Sequence, residues 1–155
     1  MAALLLIRHA QAGTAPLDVD RPLTGHGTEQ ARAIGAWLAE RGLVPDRVVV
    51  SPARRAVQTW AAAAEGLGSA EPVIDPRIYD NTFDAVLAAI RETPEEVRCL
   101  AVVGHNPSIG GLASELAPGV DGFPAGGVAV FELTGTVAAL APGAATLRDV
   151  HLPGR

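Results

Sequence analysis

Apolar and polar positions along this chain follow two rhythms in turn. Residues 4–7 (Leu-Leu-Leu-Ile), 48–50 (Val-Val-Val) and 99–103 (Cys-Leu-Ala-Val-Val) are unbroken aliphatic runs, as expected of short strands covered on both faces. Between them, apolar residues recur at helical spacing. Ala31, Ile34, Trp37 and Leu38 line one face of a segment ending near Arg41, with Gly42 as its terminator. Further helices are expected over residues 53–65, which are rich in alanine, over 83–91 and over 107–119. A brief third strand fits residues 72–74. From Val128 onward the rhythm is that of a hairpin: a strand over 128–133, a Thr-Gly-Thr turn, then strands over 137–141 and 146–152.

Alternation of continuous aliphatic strands with helices predicts a three-layer α/β/α sandwich around a mostly parallel central sheet. The late hairpin adds strands at one edge, some of them antiparallel. In such sheets ligands lie beyond the carboxyl ends of the strands.

Composition narrows the picture. The 155 residues are expected to form one domain over residues 1–155. Since 48% of the chain is hydrophobic and only 4% aromatic, the core must be mostly Ala, Val, Leu and Ile. A net charge of −5 argues against a nucleic-acid partner. All 12 basic residues are arginine, so every fixed positive charge is a planar fork suited to phosphate or carboxylate. The single Cys99 sits inside an apolar run and reads as a reduced thiol, as in cytoplasmic proteins. No apolar stretch approaches the ~20 residues of a membrane span, and the first one runs straight into Arg-His, unlike a signal peptide. The expectation is a cytoplasmic monomer with no membrane attachment.

The costly residues cluster where a ligand is expected. Arg8 and His9 end the first strand, Ser51-Pro52 and the pair Arg54-Arg55 follow the second, and Gly104-His105-Asn106-Pro107 follows another. Ser-Pro and Asn-Pro are helix-start signatures, a capping side chain followed by proline. Two helix N-termini would then face one sheet edge and favour an anion there. Arg8 and one arginine of the Arg54-Arg55 pair would complete a pocket for a doubly charged phosphate. Imidazole beside guanidinium resists protonation. An unprotonated histidine facing phosphate is a nucleophile, and a second can stabilise the transferring oxygens. Alone, each segment has a plain explanation, as a solvated helix start or a satisfied core histidine. It is their coincidence at three strand ends that points to function.

These residues resemble the histidine phosphatase superfamily, which includes the phosphoglycerate mutases, and most of all its short SixA-type phosphohistidine phosphatases. Four ordered blocks carry the resemblance: Arg8-His9-Ala10, residues 23–31 (Leu-Thr-Gly-His-Gly-Thr-Glu-Gln-Ala), residues 51–59 (Ser-Pro-Ala-Arg-Arg-Ala-Val-Gln-Thr) and Gly104-His105-Asn106-Pro107. Residues 123–133 resemble the last family block. The resemblance implies a phosphoglycerate mutase-like fold, with His9 as the nucleophile that becomes a phosphohistidine. It implies Arg8, Arg55 and His105 as the other phosphate-binding residues, the arginine preceding alanine being the family's choice. Ala10 stands where the family usually has glycine, which would matter if that position required positive φ.

The implied reaction transfers a phosphoryl group to His9 and then hydrolyses the phosphohistidine, with no metal and no other cofactor. An ester leaving group needs a general acid, and Asp80 in the segment Asp-Pro-Arg-Ile-Tyr-Asp is the candidate, ahead of Asp84; a solvated or capping role explains it equally well. Arg21, Thr24, Ser51 and Asn106 are candidate substrate-binding residues, although Asp20-Arg21 also reads as a loop ion pair, and Thr24 and Ser51 as helix caps. His26 and His151 are expected on the surface, and Trp37 and Trp60 in the core. Short connections leave little material for a lid. An open groove favours phosphohistidine on a protein, such as a phosphotransfer domain, as substrate. A small phosphate ester is the alternative, and an inactive phosphate-binding module a further one.

Overall fold

The computed structural model describes residues 2–118, 120 and 123–154. Six strands form one sheet: β1 Ala2–Arg8, β2 Arg47–Val50, β3 Pro72–Ile74, β4 Cys99–Gly104, β5 Val128–Leu133 and β6 Ala145–His151. Their spatial order is β3-β2-β4-β1-β5-β6. The first four in this order run parallel, β5 runs antiparallel to β1, and β6 antiparallel to β5. The helices are α1 Gly25–Glu40, α2 Arg54–Ala63, α3 Pro76–Asp80, α4 Phe83–Arg91 and α5 Ser108–Leu116.

The aliphatic runs make both cores at once. In β1, Leu5 and Ile7 pack with Ile34 and Leu38 of α1 and Ala56 and Trp60 of α2. Leu4 and Leu6 face the opposite layer, with Val86 and Ile90 of α4 and Ile109 and Leu112 of α5. A strand with side chains buried on both faces has no room for polar alternation. The mostly parallel three-layer sandwich is therefore what the sequence pattern predicts.

Two expectations are corrected. Residues 137–141 form no strand: Val137–Ala139 is a single 3-10 turn, and Val137 and Leu140 are buried in the core. Their apolar character serves packing, and β5 pairs directly with β6. Residues 76–80 form the unanticipated helix α3, capped by the Asp75 side chain, which accepts from the Arg77 N–H. The expected helix over 107–119 spans Ser108–Leu116; its end at Gly119 lies outside the described residues.

Register decides where the chemistry sits. Arg8 is level with Gly104, and Val50 with Val103. Because β4 lies between β1 and β2, the residues that follow all three strands emerge side by side. Gly35 allows α1 to lie directly on α2, since a Cβ there would run into the Ala63 carbonyl. Gly27 likewise brings the start of α1 onto the Gln11 backbone, just beyond β1.

Candidate active site

His9 is held against the end of β4 by its backbone N–H, which donates to the Gly104 carbonyl at 2.9 Å. Ser51 is held in the same way by the Val103 carbonyl, at 3.1 Å. His9 Nδ1 contacts the Ala10 carbonyl at 2.8 Å. A carbonyl only accepts, so the Nδ1 carries the proton and the Nε2 lone pair is free. Burial, and then the charges of Arg55, Arg8 and Arg21, push the His9 pKa down to about 4, against the opposing pull of the carbonyl.

His105 stands beside it, the ring centroids 5.1 Å apart and the planes tilted by 55°. Its pKa is pushed down to about 3 by burial, then by His9 and Arg55. Its Nε2 is 2.8 Å from Ser51 Oγ, while its Nδ1 is buried without a partner. Both imidazoles are thus neutral at physiological pH.

Arg55 is 6% exposed, whereas its neighbour Arg54 is exposed. The Arg55 Nη1 donates to the Asp18 carbonyl at 2.8 Å and the Nη2 to Asp18 Oδ2 at 3.1 Å. Arg8 Nη1 donates to the Phe123 carbonyl at 3.0 Å, tying the segment before β5 to the site. Of the six buried side-chain nitrogens and oxygens left without a partner among the described residues, three are Arg8 Nε, Arg55 Nε and His105 Nδ1. Orphaned buried polar atoms are uncommon. The charges of Arg8 and Arg55 act on both imidazoles, so Arg8, His9, Arg55 and His105 lie together at one end of the sheet.

The other candidates occupy varied positions. Arg21 faces the site, its charge acting on His9; its Nε donates to the Gly13 carbonyl at 2.9 Å. Its ion-pair partner is Asp18, at 3.1 Å, rather than the expected Asp20, because the 3-10 turn Asp18–Asp20 brings Asp18 back over Arg21 and Arg55. Thr24 caps α1 by accepting from the Gly27 N–H at 2.9 Å. Ser51 accepts from the Ala53 N–H at 3.2 Å besides contacting His105. Asn106 is committed to structure: its Nδ2 donates to the Phe123 carbonyl at 2.8 Å and its Oδ1 accepts from the Gly110 N–H at 3.0 Å. Asp80 is exposed at the end of α3 and has no hydrogen bond or ion pair with the four central residues.

The expected helix starts are displaced, since α2 begins at Arg54 and α5 at Ser108, beyond each proline. The α5 terminus is closed by side chains, the Ser108 N–H donating to Asn81 Oδ1 at 3.1 Å. Ala10 is fully buried and is not among the residues with positive φ, so the methyl group in place of glycine costs no strain. His26 is exposed as expected; His151 is half-buried against the Trp37 ring, 5.3 Å away, because β6 lies beside α1.

Two residues escaped sequence reasoning. Tyr79 of α3 lies edge-on to His105, at 5.8 Å between ring centroids, and its hydroxyl donates to Asp18 Oδ2 at 2.8 Å. The carboxyl of Asp18, bonded by Tyr79, Arg21 and Arg55, is held far below the usual carboxylate range. Among the described residues, no group of three or more His, Cys, Asp or Glu is placed to hold a metal ion, and no helix is long and apolar enough to cross a membrane.

Paired neutral imidazoles lie with two arginines at the carboxyl edge of the parallel strands. The chain belongs to the histidine phosphatase superfamily (branch 1), whose family model matches residues 4–98. It is 35% identical over 122 residues to the phosphohistidine phosphatase SixA of Escherichia coli, covering 75% of this chain and 74% of that one. A solved structure of a candidate SixA from Nakamurella multipartitia superposes with a TM-score of 0.90 at 36% identity, over 98% of this chain and 96% of that one. The protein histidine phosphatase SixA solved in complex with tungstate gives 0.80 at 28% identity, over 96% and 95%.

Proposed function

We propose that this protein is a phosphohistidine phosphatase acting through a covalent intermediate on His9. The His9 Nε2 attacks phosphorus, and the bond from phosphorus to the leaving nitrogen breaks, its electron pair passing to that nitrogen. Arg8, Arg55 and His105 hold the equatorial oxygens. They are positioned before the substrate arrives, so little reorganisation is needed as charge develops. Water then attacks the phosphohistidine, releasing phosphate and restoring neutral His9. This chemistry requires no metal.

The observation that carries the reading is the His9 tautomer: its Nδ1 is committed to Ala10, leaving a free Nε2 on a ring that stands beside His105 and under the charges of Arg8 and Arg55. The likeness to SixA supports phosphohistidine as the substrate, and the tungstate held by one relative is a tetrahedral dianion of phosphate's shape. A phosphorylated protein, such as a phosphotransfer domain, fits a site whose connections are short. Mixing the protein with a phosphohistidine-bearing domain should release phosphate at a rate well above that with serine- or threonine-phosphorylated proteins. Equal or faster release from those esters would count against it.

A further inference from the structure

Asp18 stands at the mouth of the site as a carboxylate with an unusual set of neighbours. It receives Tyr79 Oη, Arg21 Nη1 and Arg55 Nη2 at 2.8, 3.1 and 3.1 Å, yet its side chain remains 52% exposed. Its charge reaches His105, where it opposes the pull of Arg55. Three donors keep it ionised, so it has no proton to give. Tyr79's own proton is engaged by Asp18, which raises the phenol's pKa and makes it a weaker acid. The immediate surroundings of the two imidazoles therefore supply an acceptor to a leaving group, and no ready acid.

A leaving group that already carries its proton suits such a site. In phosphohistidine the ring is bonded to phosphorus through one nitrogen, and the second can hold a proton, making an imidazolium. A fixed carboxylate attracts that cation and accepts its N–H. When the P–N bond breaks, the electron pair neutralises the imidazolium, and neutral imidazole departs without any proton transfer from the protein.

We propose that Asp18 determines specificity, its carboxylate accepting the N–H of the protonated imidazole leaving group and selecting phosphoramidates of histidine over phosphate esters. This rests on the proposed phosphatase reading and adds to it a residue that recognises the leaving group. Because Asp18 also touches Arg55, lost activity alone would not separate recognition from positioning.

The test is the selectivity of Asp18→Asn, which keeps the shape and removes the charge. Free phosphohistidine and p-nitrophenyl phosphate are compared; the latter's leaving group departs without a proton and carries no cation. The expected result is a fall in kcat/KM for phosphohistidine that exceeds any fall for p-nitrophenyl phosphate by tenfold or more. A fall by the same factor for both substrates overturns the proposal, leaving Asp18 as a support for Arg55. So does unchanged phosphohistidine turnover. Asp18→Glu should keep the wild-type preference, and a preference as low as that of Asp18→Asn would also overturn it. Failure of the underlying reading shows elsewhere, as wild-type protein that gains no phosphate on His9 from phosphohistidine.

Discussion

His9 and His105 face each other at 5.1 Å between ring centroids, and both are uncharged because burial and neighbouring arginines oppose a further proton. Two imidazolium ions could not share that space. The pair consists of a nucleophile with a free lone pair and a second ring able to meet the transferring oxygens.

The first prediction concerns protons. Following the ring carbon resonances by NMR should give midpoints near 4 for His9 and near 3 for His105, against about 6.5 for an unperturbed histidine. The folded state then binds fewer protons than the unfolded state once pH drops below about 6.5. Stability is fully present above that value and falls as pH decreases toward the folded-state values. His9 alone should cost on the order of 3 kcal/mol by pH 4. A midpoint near 6.5 for either ring would contradict the electrostatic account.

Among the described residues, Ser51 is the only side chain bonded to the His105 ring, through Nε2 at 2.8 Å. Ser51→Ala should leave the ring less well held and remove ~1 kcal/mol of transition-state stabilisation, roughly fivefold in kcat. Ser51→Thr should recover much of it. Stopped-flow measurement of phosphoenzyme formation isolates the affected step; an unchanged rate in Ser51→Ala would remove Ser51 from the mechanism.

Asp80 is exposed and has no hydrogen bond or ion pair with the four central residues. Asp80→Ala should change turnover of phosphohistidine and of p-nitrophenyl phosphate by no more than about twofold, the scale of ordinary surface substitutions. Selective loss of ester cleavage would restore the general-acid role suggested by its place in the sequence.

Gly35 lets α1 rest on the Ala63 backbone. Gly35→Ala should destabilise by ~1–3 kcal/mol, as overpacking does, lowering the thermal midpoint by about 3–10 °C. An unchanged melt would mean that the two helices separate freely.

Much of this was legible in the sequence because strand burial leaves a direct mark. Leu4–Ile7 and Val48–Val50 have apolar side chains on both faces, and the strand-end rule then locates Arg8, His9, Ser51 and His105. Asp18 was not legible. It lies in a loop without periodicity, and its place over Arg55 depends on the loop returning through the bridge between Ala12 and Leu23. Tyr79 was hidden beside Asp80, in a segment read for its carboxylates, and its direction is set by α3. Val137 and Leu140 misled because a buried 3-10 turn is as apolar as a strand.

The account stands most directly on one covalent bond. The protein is mixed with a phosphohistidine donor, quenched at alkaline pH and analysed by peptide mass spectrometry beside a His9→Ala control. It should carry one acid-labile phosphoryl group on His9 and none in the control. A label on another residue, or none on native protein that is turning over, would contradict the mechanism.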